Sequence, residues 1–298
     1  MKPLLPFVLF AAAAPAAVFC QTGSDYYGPR PLWERVEIAL TAGYGQSLAD
    51  WTSVHLTQAV TPAGFRVSAQ NRLQMSAGGA LTGGASATFF FRSGLVLQGG
   101  FGYLKTGVTN ETPFQYQYNR PPAVWRSETF EGSGELTTVP IFINIVNNFN
   151  LFRGPANRRL RGYLSLGPAL FFNSIVVDAF AGAAAAVSTG GGDELADAFK
   201  VPVVVEDTTW VSLGGNIGLS FDFHFSRSLA LTAEGRFFYA PKRNLVWRWQ
   251  AGTVSGLSGQ IPAYEFTSAA AANYMADTTA IALKPSFFHF SAGVKVIF

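Results

Sequence analysis

The chain is short of charge. Only 13% of its 298 residues are Asp, Glu, Lys or Arg, against roughly 25% in a typical soluble domain. Low charge ordinarily points to membrane helices, yet beyond the N-terminus no run approaches the roughly 20 apolar residues that a spanning helix needs. The nearest candidate, residues 179–189, is rich in Ala and Gly and bounded by Asp178 and Asp193. A membrane-like composition without spanning helices leaves one solution, because lipid tolerates only helices and closed barrels. Cysteine is scarce too: Cys20 stands alone, which excludes an intramolecular disulfide. A net charge of +3 with no long basic tract argues against a nucleic-acid partner. Histidine occurs three times, and His55 has no second cluster of ligating residues near it, so no metal and no other cofactor is expected. Gly190-Gly191-Gly192 lacks a Gly-Lys-Ser/Thr continuation and is not a phosphate loop.

What the sequence does have begins with a secretory pattern over residues 1–20. Lys2 supplies the positive start, residues 4–14 the apolar centre, and Ala16, Ala17 and Cys20 the small residues near a cleavage point. Cleavage after Cys20 is expected, leaving residues 21–33 as a periplasmic N-terminal segment and residues 34–298 as the folded part. The bulky Phe19 argues against Cys20 as a lipidated cysteine.

The folded part is a series of short alternating segments. In residues 36–45, Val36, Ile38, Leu40, Ala42 and Tyr44 fall on one face and Glu37, Ala39, Thr41, Gly43 and Gly45 on the other, the period-two signature of a half-buried strand. The same pattern recurs in residues 81–91 and 95–103, joined by Arg92-Ser93, in 211–225 and 229–239, joined by Ser226-Arg227, and in 288–298. Residues 137–146 and 162–172 alternate less cleanly, and Pro140 violates the rule that interior strands avoid proline. About eight strands result, an even number as single-chain bacterial barrels require. A ten-strand version would add a hairpin using residues 245–250. Tight connections alternate with long ones near 46–79, 106–134, 173–208 and 240–285, as short periplasmic turns alternate with long external loops in such barrels. Phe89, Phe91, Phe223, Phe225 and Phe298 fall at the periplasmic ends and Tyr44, Phe101, Tyr103, Phe237 and Tyr239 at the other, the two aromatic girdles of the architecture.

On these residues the chain resembles the family of small outer-membrane β-barrel domains, the OmpA-like barrels. Thr138-Val139-Pro140-Ile141-Phe142-Ile143 is similar to that family's proline-containing apolar strand, and Tyr163-Leu164-Ser165-Leu166-Gly167-Pro168 follows after a polar turn. Phe298, with apolar residues at alternate positions before it, resembles the C-terminal signal read by the outer-membrane barrel assembly machinery. The resemblance implies an all-β, transmembrane, antiparallel up-and-down barrel in the outer membrane of a Gram-negative cell envelope. It also implies contact with outer-membrane lipids and lipopolysaccharide. It names no activity, since one fold hosts many functions.

If Phe298 faces lipid, then Glu37, Asp222, His224, Glu234, Arg236, His289, Ser291 and Lys295 face the lumen. An eight-stranded barrel is just wide enough to be filled by side chains, and buried charges need partners. A charge network of Glu37, Asp222, Glu234, Arg236 and Lys295 is therefore expected, with Glu37 meeting Lys295 where the first and last strands close. Glu234, His289 and Ser291 should reach comparable height on neighbouring strands. They could act as acid, base and nucleophile, and His-x-Ser resembles part of the motif of lipid A deacylases, but these residues point away from lipid. Arg153, Arg158, Arg159 and Arg161 mark a basic turn near the periplasmic face. The function expected is structural or surface-interacting, through long external loops and a surface ligand the sequence does not name, without catalysis. A small porin-like pore or transport channel is the first alternative and a lipid A-modifying hydrolase the second.

Overall fold

The computed structural model describes residues 35–60, 66–118, 126–150, 160–188, 194–205, 208–226, 228–257, 264–266 and 281–298. The signal pattern of residues 1–20, the segment 21–33, Arg153, Arg158, Arg159 and the triple glycine lie outside them. In chain order the strands are β1 (Val36–Ser47), β2 (Asp50–Val60), β3 (Arg66–Ala77), β4 (Gly79–Phe90), β5 (Val96–Tyr118) and β6 (Arg126–Asn150). There follow β7 (Leu160–Ser188), β8 (Glu194–Val205), β9 (Thr209–His224), β10 (Leu229–Tyr239), β11 (Arg243–Leu245), β12 (Trp247–Trp249), β13 (Gly252–Val254), β14 (Tyr264–Phe266), β15 (Ile281–Leu283) and β16 (Phe287–Ile297).

Eight of these close a ring. β1 pairs with β4, β4 with β5, β5 with β6, β6 with β7, β7 with β9, β9 with β10, β10 with β16, and β16 returns to β1, every pair antiparallel. The fold is an eight-stranded up-and-down barrel. Closure removes sheet edges, because each ring strand has a hydrogen-bonded neighbour on both sides. The residues 245–250 proposed for a ten-strand version stay out of the ring: β12 pairs with β8, and Trp247 and Trp249 are buried.

At one end the connections are short. Phe91 donates its N–H to the Leu95 carbonyl at 2.9 Å, and Gly94, with φ at +81°, takes the left-handed conformation that lets the chain reverse there. At the other end the described parts of the long connections are mostly strand. β5, β6 and β7 run for 23, 25 and 29 residues, carrying their pairing far beyond the ring, while the hairpin β2–β3 adds to β5 and β8 adds to β7. The tallest part of the molecule has its own apolar core, including Leu73, Met75, Val108, Ile175, Phe199, Val201, Trp210 and Trp247.

Three ring strands contain a proline: Pro113 lies in the outer part of β5, and Pro140 of β6 and Pro168 of β7 lie within the barrel wall. Pairing between β5 and β6 passes from Phe101↔Ile141 to Leu104↔Thr138 in unchanged register, so the ladder lapses beside Pro140 without a bulge. Gly102 stands next to the gap, where an added Cβ would come 3.3 Å from the Pro140 ring. A missing donor and a bulky ring are thus met by a residue that has no side chain. Between β6 and β7 the ladder lapses in the same way beside Pro168.

Alternation sorts the ring residues in and out as the pleat dictates. Leu40, Leu81, Leu213 and Phe290 project from the wall with relative exposures of 65%, 84%, 69% and 59%, whereas Glu37, Asp222, Arg236 and Lys295 are buried inside. Phe89, Phe91, Phe223, Phe225 and Phe298 are exposed at the turn end; Tyr44, Phe101, Tyr103 and Tyr239 are exposed at the loop end.

Candidate functional site

The lumen gathers buried ionisable side chains from several ring strands, and it is filled in layers. Nearest the turn end, Lys295 lies between two carboxylates. Its Nζ is 3.2 Å from Glu37 and closer still to Asp222, while Glu37 also pairs with Arg35. Register explains the meeting. Lys295 stands opposite Ala39 on β1, which makes Glu37 its diagonal neighbour on the same face, within reach of a long side chain. On its other side Lys295 stands opposite the fully buried Ala230, and Asp222 is opposite Thr232 on the next strand. Small residues on β10 leave the ammonium room to cross to β9. The same ammonium sits 4.6 Å from the centre of the Tyr163 ring, and Arg35 stacks over Phe90, 5.3 Å from its centre.

One layer up, Arg236 is the hub. It pairs with Glu234, donates from Nη1 to Asn216 and donates from Nη2 to Gln98 at 2.9 Å. Asn216 in turn donates to Asn144 at 2.8 Å, and Asn144 to Gln98 at 3.3 Å. The guanidinium also lies 4.3 Å from the centre of the Phe142 ring. Arg236 fits because its neighbour on β9 is Gly218. Above it Phe238 stacks on Phe287 at 4.8 Å and meets Phe171 edge-on at 6.2 Å.

The five charges expected in one network therefore fall into two clusters. Glu37, Asp222 and Lys295 belong to the lower cluster and Glu234 and Arg236 to the upper, and among the described residues no ion pair joins the two. The sequence reading missed Arg35, which precedes the first alternating segment. It also missed Gln98, Asn144 and Asn216 as partners, because uncharged amides on an inward face carry no sign of convergence until register is known.

Glu234, His289 and Ser291 do come to one region: Ser291 is the cross-strand partner of Glu234 and His289 that of Arg236. They are not linked. The Glu234 carboxylate is taken by Arg236, and the His289 Nε2 and Ser291 Oγ have no hydrogen-bond partner among the described residues. A relay needs heavy atoms about 2.6–3.2 Å apart. Beside them lies a small cavity lined by Thr41, Ser86, Glu234, Arg236 and His289, polar enough to hold ordered water. His224 is buried near the lower cluster, and Arg161 is buried at the start of β7. His55 and Trp51 lie on β2.

No family model matches the chain. No curated protein matches it either. Solved structures do. One is the outer membrane protease OmpT of Escherichia coli, at 8% identity, covering 92% of this chain and 100% of that one, with a TM-score of 0.42. A second is Ail, the attachment invasion locus protein of Yersinia pestis in complex with the heparin analogue sucrose octasulfate, at 9% identity over 88% of this chain and 99% of that, TM-score 0.32. A third is Neisserial surface protein A, at 13% identity over 88% and 96%, TM-score 0.32.

Proposed function

We propose that the chain is an integral barrel of the bacterial outer membrane, with a structural or surface-interaction role carried by its β-built external extension. The observation that carries this is the wall. Leu40, Leu81, Ile143, Leu166, Leu213 and Phe290 are exposed around a closed ring that also exposes aromatic residues toward both of its ends. Soluble monomers rarely expose a contiguous apolar surface of more than a few hundred Å². Lipid accepts such a surface provided no backbone edge is left open, and the ring leaves none. A crossing strand takes about 9–11 residues, so the lengths of β5, β6 and β7 support an extension standing well clear of the bilayer. The Pro140 strand favours the OmpA-like resemblance within this reading.

The layered lumen favours a plug over a pore, because conduction would require the Arg236 cluster, the Phe238 layer and the external core to move together. The inward placement of His289 and Ser291, away from any acyl chain, disfavours lipid A hydrolysis.

Topology is tested with epitope tags on intact cells. Tags between β2 and β3, or between β13 and β14, are expected to be reached by antibody, and a tag at Arg92-Ser93 is not. Labelling at that tight turn would invert the orientation. Assembly is tested by deleting Phe298, whose ring is exposed on the wall. Slower appearance of the folded band, which migrates differently before and after heating, is expected; unchanged kinetics would remove the assembly-signal role.

A further inference from the structure

Beyond the loop-end girdle, β10 and β16 continue through residues 240–242 and 284–286 into the short ladder β11–β15. In that ladder Arg243 pairs with Leu283. Lys242 immediately precedes Arg243 and Lys284 immediately follows Leu283, so the two lysines flank one cross-strand pair on the side toward the barrel. Both lysines are exposed, and like charges held close together repel. Among the described residues neither forms an ion pair with a carboxylate. Lys284 leans instead over the exposed ring of Tyr239, its Nζ 4.8 Å from the centre. Just below, Phe237 packs on the outward Phe288 at 4.9 Å. The Lys284 ammonium therefore sits where the apolar wall gives way to water, with the exposed Lys242 across the same pair.

We propose that Lys242 and Lys284 clamp the phosphate of lipid headgroups in the leaflet around the loop end of the barrel. The proposal rests on the membrane reading above and adds a ligand site to it. A phosphate shared between the lysines turns a repulsion into two charge-assisted contacts. Lysine stems can lie along an apolar wall while their charges stay at the headgroups. The Tyr239 ring holds Lys284 at that height by a cation–π contact. The clamp is one-sided. On the far wall of the extension Glu111 stands opposite Glu131, and the exposed Asp178 lies on the neighbouring strand, which disfavours anionic lipid there.

The experiment titrates the folded barrel in detergent with phosphatidic acid, and separately with phosphatidylcholine, counting bound lipid by native mass spectrometry. Each lysine near an anionic lipid surface contributes about 1 kcal/mol, so Lys242→Gln with Lys284→Gln should weaken phosphatidic acid binding about thirtyfold. Phosphatidylcholine binding should not change. Lys242→Arg with Lys284→Arg should retain the lipid, and Lys200→Gln, a charge removed from β8 in the extension, should leave it unaffected. Wild-type affinity in the double Gln variant overturns the clamp while leaving the barrel reading intact. Failure of the unaltered protein to give a heat-modifiable folded band in detergent overturns the barrel reading itself. Displacement of the lipid by an equal concentration of inorganic phosphate assigns the lysines to a soluble anion and overturns the headgroup proposal.

Discussion

Replacing Lys295 by alanine is expected to cost the refolded barrel about 3–5 kcal/mol in urea unfolding, the range for removing one partner of a buried ion pair. The ammonium is the cation shared by Glu37 and Asp222, whose side chains have 0% relative exposure. Glu37 keeps Arg35 when Lys295 is lost; Asp222 loses the ammonium with which it forms its ion pair. The compensated combination is therefore Lys295→Met with Asp222→Leu, which leaves the Arg35–Glu37 pair whole and should be closer to wild type than Lys295→Ala alone. Replacing Glu37 and Lys295 together, the pair that sequence alone singles out, would take Lys295 from Asp222 and Glu37 from Arg35, and should remain costly. Additive losses for Lys295→Met and Asp222→Leu would mean that the two side chains are not coupled.

Phe238→Ala should be comparably damaging, at about 3–5 kcal/mol for a large aromatic deleted from a packed interior. Phe238 is 1% exposed and touches Phe142, Phe171 and Phe287 as well as the Arg236 guanidinium. Its loss opens one layer only. Planar bilayers containing this variant should stay silent, because the Arg236 cluster lies on one side of the vacated space and the external apolar core on the other. Steady channels in the variant but not in the parent would make the aromatic layer the sole gate, and steady channels in the parent would end the plugged-lumen reading.

The ring was legible because its outside is apolar: Ile141, Ile143 and Ile145 against Phe142 and Asn144 announce a strand and its two faces at once. The extension was not. Along the outer part of β5 the outward residues Thr109, Glu111 and Gln115 are polar, as water requires, but the inward residues include Asn110 and Thr112 too, both buried, so the contrast that marks a strand disappears. In the outer half of β7 the run of alanines erases it from the other direction, since Ala181 and Ala183 are buried but indistinguishable from their neighbours. Inward charges were likewise readable one by one. Which of them meet depends on register and on the sizes of residues between them, such as Ala230 beneath Lys295 and Gly218 beside Arg236, and no single-strand pattern carries that information.

The pairing of β5 with β6 keeps one register from Leu97↔Ile145 near the turn end to Tyr116↔Arg126 in the outer part, lapsing only beside Pro140, so the ring and the extension share the same continuous strands. A load applied at the tip would pull along the strands and strain many hydrogen bonds in shear together, instead of unzipping them one at a time. The outer part should behave as a stiff mast stepped in the barrel. Whatever grips it from outside would transmit tension directly to the wall, and a single-molecule pulling trace should show one large rupture in place of a soft domain yielding ahead of its anchor.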